Sequence, residues 1–393
     1  MDPGLIFFAG IVLVSLLIWL YSRSGTGSLL YLNEVAATSK RVGRRAVVPE
    51  YRDLARFFHS GLIDRTGTLD AGFPCAILHP LPEAGRCRAD LATLCERRAR
   101  SLLDEAGRLD RDIELFWSGG IDSTAALTAL LRVAEDDRER QRIEVRYAPC
   151  SIAEYPLFFE QFIDGRLRHA PIERSIGEAM DSGRLIVTGE LGDQIFGSML
   201  ARPHVESGAA FRPWREALPD ILRKELGKAH AEKVITYVEP QVEKAPCALD
   251  NLFDLLWWMN FSLKWQVVDL RLAVSCGSRA KEVHAATRHF FADRAFEEWA
   301  VDNRDLCIAG HWASYKWPLK AFVRDFTGDE DYFANKLKEP SLQKVLGEAA
   351  SRDVQPQPVA MMQSYGLLVG LGVGLGIVQA TGDTKWEVSV SVE

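Results

Sequence analysis

Residues 118–124 read Ser118-Gly119-Gly120-Ile121-Asp122-Ser123-Thr124, so two adjacent glycines, three hydroxyls and one carboxylate fall in a single short turn. Glycine has no Cβ, and backbone N–H groups at such positions can approach an anion closely. A helix that starts at the turn aims its positive end at the same anion. Ser118, Ser123 and Thr124 add hydroxyl donors for phosphate oxygens. Asp122 is unsuited to direct phosphate contact and suited to a Mg²⁺ ion that bridges phosphates. Phosphate binding with a bridging divalent cation is therefore the expected chemistry. A plain strand-to-helix turn would account for neither the acid nor the hydroxyls.

Such a turn must be held between a strand and a helix. Ile113–Trp117 (IELFW) is a short apolar run directly before it, and residues 125–133 continue it in a helical pattern. Upstream, residues 89–106 place Leu91, Leu94, Cys95, Ala99, Leu102 and Leu103 at helical spacing, with charges on the other face. The predicted order is helix, strand, Gly-rich turn, helix. A further strand is expected at residues 143–148, ended by Pro149. Another is expected at residues 184–187, leading into Thr188-Gly189-Glu190-Leu191-Gly192-Asp193-Gln194-Ile195-Phe196-Gly197. Parallel sheets bind ligands at the C-terminal edge of their strands.

The pattern S-G-G-x-D-S after a hydrophobic strand resembles the PP-loop of the N-type ATP pyrophosphatases and differs from the G-x-x-x-x-G-K-[ST] loop of ordinary P-loop NTPases. The resemblance implies that Ser118, Gly119, Gly120, Asp122, Ser123 and Thr124 surround ATP and that the adenine lies near the end of the strand at 143–148. It also implies cleavage between the α- and β-phosphates, with adenylation of an oxygen and release of pyrophosphate. Residues 188–197 are similar to the G-E-x-x-D-E-L-F-G segment of asparagine synthetases: Gly189, Glu190, Asp193, Phe196 and Gly197 match, and Gln194 replaces the usual Glu. By that likeness Gly189 belongs to the nucleotide site, Asp193 joins Asp122 on Mg²⁺, and Glu190 orients or deprotonates an attacking amine. Farther on, residues 313–324 (ASYKWPLKAFVR) look like the K-W-x-L-R stretch of these enzymes, and Lys336-Leu337-Lys338-Glu339 looks like their R-x-K-E. The carry-over puts the catalytic lysine at Lys338, with Lys336 in the place of the Arg and as the alternative. A lysine there neutralises charge on the α-phosphate and the acyl oxygen.

The resemblance covers residues 89–344. It implies an α/β fold, a parallel sheet with helices on both faces of the PP-loop (adenine nucleotide α-hydrolase-like) type, followed by a mostly helical C-terminal half. The apolar run 253–261 is expected to be core of that half rather than a base-stacking surface. Full asparagine synthetases begin with a glutaminase domain whose nucleophile is the cysteine after the initiator Met, whereas residue 2 here is Asp. Free ammonia, ammonia from a separate glutaminase, or an amine of the substrate itself, as in β-lactam synthetase and lasso-peptide cyclase, are the amine sources this leaves. The expected activity is that of an ATP-dependent carbon–nitrogen ligase: it adenylates a small-molecule or glycan carboxylate and lets an amine displace AMP. The competing expectations are a PP-loop tRNA-modifying enzyme and a non-catalytic, membrane-tethered nucleotide-binding protein.

The bulk properties fit a folded enzyme. The 393 residues are 47% hydrophobic and 26% charged, and 47 basic against 54 acidic side chains give a net charge of -7. That balance gives no footprint for a generic nucleic-acid coat, and no nucleic acid is expected as partner. The seven cysteines contain no C-x-x-C pair, which argues against zinc and for buried free thiols in a reducing compartment. Residues 5–21 form an uncharged apolar run at the lower limit for a membrane-spanning helix. Basic residues after it put the body of the chain in the cytoplasm by the positive-inside rule; a buried helix or strand is the alternative. The Gly-rich run 366–378 fits either a packed membrane helix or a strand, and the tail 385–393 alternates like a strand, so a hairpin turning at 381–384 is favoured. The expected division is 1–22 anchor, 23–88 linker and small N-terminal segment, 89–350 ATP pyrophosphatase domain, and 351–393 apolar tail.

Overall fold

A computed structural model describes residues 28–83, 85, 87, 89–173, 176–338, 375–381 and 385–391. Its strands are β1 (Ser28–Leu32), β2 (Ile113–Trp117), β3 (Ile143–Tyr147), β4 (Arg168–Pro171), β5 (Leu185–Thr188), β6 (Thr287–His289), β7 (Leu375–Thr381) and β8 (Lys385–Ser391), besides a two-residue ribbon at 41–46. Five of them form a parallel sheet in the order β4-β3-β2-β5-β6. The fold is therefore α/β. β2 follows the rule for a central parallel strand, with every side chain of IELFW buried.

The pleat sends alternate residues to two cores. Ile113, Leu115 and Trp117 of β2 join the main core, whereas Phe116 joins Ile186, Leu272, Val283 and Ala286 in a smaller cluster on the opposite face. Helices α1 (Leu91–Leu109) and α2 (Ile121–Val133) pack together on the first face. α1 is capped by Asp90, whose carboxylate accepts from the Thr93 N–H at 2.9 Å.

Register decides where the ligand edge lies. Phe116 of β2 stands opposite Arg146 of β3 and Thr188 of β5, so the turns beginning at Ser118 and Gly189 leave the sheet at the same level. The chain goes to one side of β2 for β3 and to the other for β5, which makes the gap between β2 and β5 the switch point where open parallel sheets bind ligands. α3 (Gly192–Phe196) begins in that gap.

The C-terminal half is helical. α4 (Leu252–Leu263) buries all but one of its side chains, and α5 (Trp265–Ser275) and α6 (Trp317–Thr327) follow it. The rings of Trp257, Trp258, Phe261 and Trp265 contact one another in the core, with centroids 5.2–6.2 Å apart. Residues from Leu29 to Phe73 belong to this same core. Arg65 pins them there: its buried guanidinium pairs with Glu297, donates to the Phe261 carbonyl and lies 4.6 Å over the Trp265 ring. β1 pairs antiparallel with β7, and β7 with β8, where Thr381 stands opposite Lys385.

Among the described residues no helix is long and apolar enough to cross a membrane. The run 5–21, expected as an anchor, lies outside the described residues, as do residues 366–374 of the Gly-rich run.

Candidate active site

The glycine turn is shaped by close packing. Gly119 has φ of 73°, and a Cβ there would stand 2.3 Å from the Ser151 carbonyl oxygen and 2.6 Å from Glu154 Cβ, so only glycine lets helix Pro149–Glu154 close behind the turn. Ser123 Oγ accepts from the Ser118 N–H at 3.0 Å and lies 2.9 Å from Ser118 Oγ. Ser118, Gly120, Asp122 and Ser123 line a cavity of about 510 Å³ at the C-terminal edge of the sheet. Thr124 is placed elsewhere. Its hydroxyl accepts from Trp117 Nε1–H at 3.0 Å and the residue is wholly buried, so it braces the turn from behind instead of facing a phosphate.

The segment after β5 interlocks with this turn. A Cβ at Gly189 would lie 2.6 Å from Ser123 N, and one at Gly192 would lie 2.3 Å from Asp122 Oδ1. Between them Leu191 adopts a left-handed backbone, φ 71°. Gly192→Ala is therefore expected to drive Asp122 out of place at a cost of about 1–3 kcal/mol, the usual price of overpacking. A fall in melting temperature in scanning calorimetry checks this; an unchanged melting temperature would show that Asp122 is not held by this contact.

Four charges meet where the two turns touch. Lys316 Nζ lies 2.6 Å from Asp122 Oδ1, 2.7 Å from Asp122 Oδ2 and 2.6 Å from Asp193 Oδ1, and its side chain has 0% exposure. Lys338 Nζ lies 3.1 Å from Asp122 Oδ2 and 3.5 Å from Asp193 Oδ2, and it faces the cavity. Burial opposes ionisation of Asp193, but the charges of Lys316 and then Lys338 outweigh it and hold the carboxyl well below the usual range. Burial likewise works against the Lys338 ammonium, and Asp193 and Asp122 reverse it, raising its pKa above that of a free lysine.

Local structure explains how both lysines arrive. Lys316 caps α6 with a left-handed backbone, φ 60°, a conformation costly for a non-glycine residue and frequent at functional sites. Lys338 follows a segment fixed by Trp312 Nε1–H, which donates to the Lys338 carbonyl at 3.2 Å, and by Lys320 Nζ, which donates to the Lys336 carbonyl at 3.3 Å. Lys336 does not reach the acid pair. It pairs with Glu154 at 2.6 Å behind the glycine turn, so of the two lysines expected from the sequence only Lys338 lines the site.

Glu190 lines the cavity and forms an ion pair with Arg271 of α5. Gln194, where the related segment has Glu, is buried and donates its amide to Asn260 at 3.2 Å; Asn260 in turn holds the Gly197 carbonyl at 2.6 Å. On the sheet side the wall is apolar, formed by Phe116, Ile172, Ile176 and Leu272 beside Arg146 and Ala148 at the end of β3. Arg146 is anchored by Glu144 and Glu114, and burial pushes the Glu114 carboxyl up to about 6.

Asp122 and Asp193 are the two carboxylates expected to take Mg²⁺, and in the structure they face an ammonium group. Both carboxylates converge on one point, the Lys316 ammonium, and among the described residues no group of three or more His, Cys, Asp or Glu side chains forms a complete metal cage. Mg²⁺ needs only one or two carboxylates when phosphates and water complete its shell. Lys316 and Arg271 are site residues that were not singled out in the sequence. The signal for Lys316 was the Trp-Pro that follows it, which starts a helix at that lysine; Arg271 carries no local signal. No family model matches the chain, and no curated protein matches it.

Proposed function

We propose that the chain is an ATP-dependent, amide-forming ligase of the asparagine-synthetase type. The observation that carries this reading is the convergence of Asp122, Asp193, Lys316 and Lys338 beside a glycine turn at the switch point of a parallel sheet. A fixed acid pair flanked by two ammonium groups suits a reaction in which triphosphate charge is redistributed without covalent help from the protein.

ATP lies with its phosphates on Ser118, Gly120 and Ser123 and its adenine against the Phe116–Leu272 wall. A carboxylate oxygen of the acid attacks the α-phosphorus. The new O–P bond forms, the P–O bond to the β-phosphate breaks, and pyrophosphate leaves with the electron pair. Lys338 neutralises the charge that builds on the α-phosphate oxygens. Lys316 keeps Asp122 and Asp193 ionised and converged. Mg²⁺ held by those two carboxylates would supply charge neutralisation on the phosphates. The amine nitrogen then bonds to the acyl carbon and AMP departs with the bridging oxygen. Glu190, oriented by Arg271, accepts the proton the nitrogen loses. The acid is a small-molecule or glycan carboxylate, and the amine is ammonia, free or from a separate glutaminase, or an amine of the substrate itself.

The test is product identity with ATP, Mg²⁺, ammonia and a panel of amino-acid and uronic-acid carboxylates. AMP and pyrophosphate in equal amounts, dependent on one acid and on the amine, is the expected result. ADP and inorganic phosphate would overturn the proposal.

A further inference from the structure

Glu190 is held at its carboxylate by Arg271, and a second hold on its backbone runs through buried groups that no step above uses. β5 and β6 pair in parallel with Thr188 opposite His289, which sets the two side chains beside each other on one face of the sheet. Each residue is 3% exposed. The imidazole stands between two partners: Nε2 lies 2.8 Å from the Asp269 carbonyl oxygen of α5, and Nδ1 lies 2.6 Å from Thr188 Oγ1. A carbonyl can only accept, so Nε2 carries the ring hydrogen, and in a neutral ring Nδ1 is left as the acceptor. The Thr188 hydroxyl then donates to Nδ1, while its oxygen accepts from the Glu190 N–H at 3.2 Å. The Asp269 carboxylate is farther from Nε2, at 3.8 Å, and faces His79 at 3.4 Å. Asp269 and Arg271 belong to the same helix, so α5 ties Glu190 twice, once through Arg271 and once through His289 and Thr188. The chain around Glu190 needs such a hold: Gly189 is wedged against Ser123, and Leu191 is left-handed.

We infer that Thr188 and His289 are positioning residues for Glu190: a one-way series of hydrogen bonds, from the Glu190 N–H to Thr188, His289 and the Asp269 carbonyl, aims the carboxylate that takes the proton from the amine. The use of this relay in amide formation rests on the ligase reading above; its polarity, with the hydrogen on Nε2, does not. Adenylation makes no use of Glu190, so the relay serves the second half of the reaction alone.

Two measurements on the full chain test this. With isotope-labelled histidine, the His289 ring signal, assigned by its loss in His289→Gln, should report a neutral ring with the hydrogen on Nε2 at neutral pH, and its Nδ1 resonance should move in Thr188→Val. A hydrogen on Nδ1, alone or on both nitrogens, would overturn the inference. The kinetic measurement separates the two halves of the reaction. Exchange of pyrophosphate into ATP with Mg²⁺ and a panel of amino-acid and uronic-acid carboxylates reads adenylation, and amide formed on adding ammonia reads the second half. Thr188→Val should keep exchange within about twofold of the native rate and slow amide formation by about tenfold to a hundredfold. Thr188→Ser, which keeps the hydroxyl, should restore the rate. His289→Gln, whose amide can still reach the Asp269 carbonyl but offers no acceptor in the place of Nδ1, should share the amide defect. Unchanged amide formation in both defective variants, equal losses in both halves, or no recovery in Thr188→Ser would overturn the inference, as would exchange without amide formation in the native chain. The two readings fail separately: no acid-dependent exchange in the native chain removes the ligase and leaves the histidine signal to decide the relay, whereas normal exchange with amide formation indifferent to the variants removes only the relay.

Discussion

Replacing Lys316 by Met is expected to destabilise the folded chain by about 3–5 kcal/mol, because it strips the shared partner from two converged carboxylates. The Lys316 side chain has 0% exposure, against 10% for Asp122 and 30% for Asp193. The pH dependence should weaken. In the native chain the Asp193 carboxyl is depressed, so it contributes stability above the unfolded carboxylate range that is lost as pH falls through that range and below. In Lys316→Met only Lys338 still faces the two acids, so the depression shrinks and less stability is lost over the same range. Urea unfolding at pH 4 and pH 7 checks this: the native chain should lose stability at pH 4 and the variant should regain part of its deficit there. A deficit below about 1 kcal/mol at pH 7 would mean that the cluster is not held together by Lys316.

Lys338→Gln is expected to lower the rate of AMP formation by about 10²–10³, the loss seen when one donor to a developing oxyanion is removed, with a fall in melting temperature smaller than that of Lys316→Met because Lys316 still pairs with both acids. Its ammonium faces the cavity at one end of a segment that Trp312 and Lys320 hold through backbone carbonyls, so the segment stays in place when the side chain changes. Lys336→Gln should behave in the opposite way. It strands the buried Glu154 carboxylate behind the glycine turn, and so should cost stability while altering the rate of surviving enzyme only several-fold. Single-turnover rates and melting curves of the pair separate the two lysines. A rate loss confined to Lys336→Gln would exchange their roles.

Elements whose signals are local were legible in the sequence. β2 is continuous and apolar, and the strand expected at 143–148 and the one at 184–187 coincide within a residue with β3 and β5. β4 (RHAP) and β6 (TRH) carry no apolar period because they are short edge strands, and neither was read. The glycine turn and the Gly189–Gly197 segment were visible as motifs, but which neighbouring hydroxyl faces the cavity depends on Trp117, whose indole captures Thr124, while Ser123 lines the cavity. Lys316 opens the stretch that looks like K-W-x-L-R, whereas Arg271 could not be chosen among many arginines, because it is brought to the site by packing of the helical half. Residues 28–83 gave no functional signal for a similar reason: Arg65 finds Glu297 across 232 positions, and Phe58 reaches the cavity only through that docking.

The central claim is that a carboxylate is adenylated here, and exchange of labelled pyrophosphate into ATP tests it most directly. With Mg²⁺, ATP and the acid present and the amine withheld, a reversibly formed acyl-adenylate returns label to ATP. The account predicts acid-dependent exchange that disappears in Asp122→Ala. Absence of exchange with every acid, in protein that binds ATP and releases ADP, would contradict it.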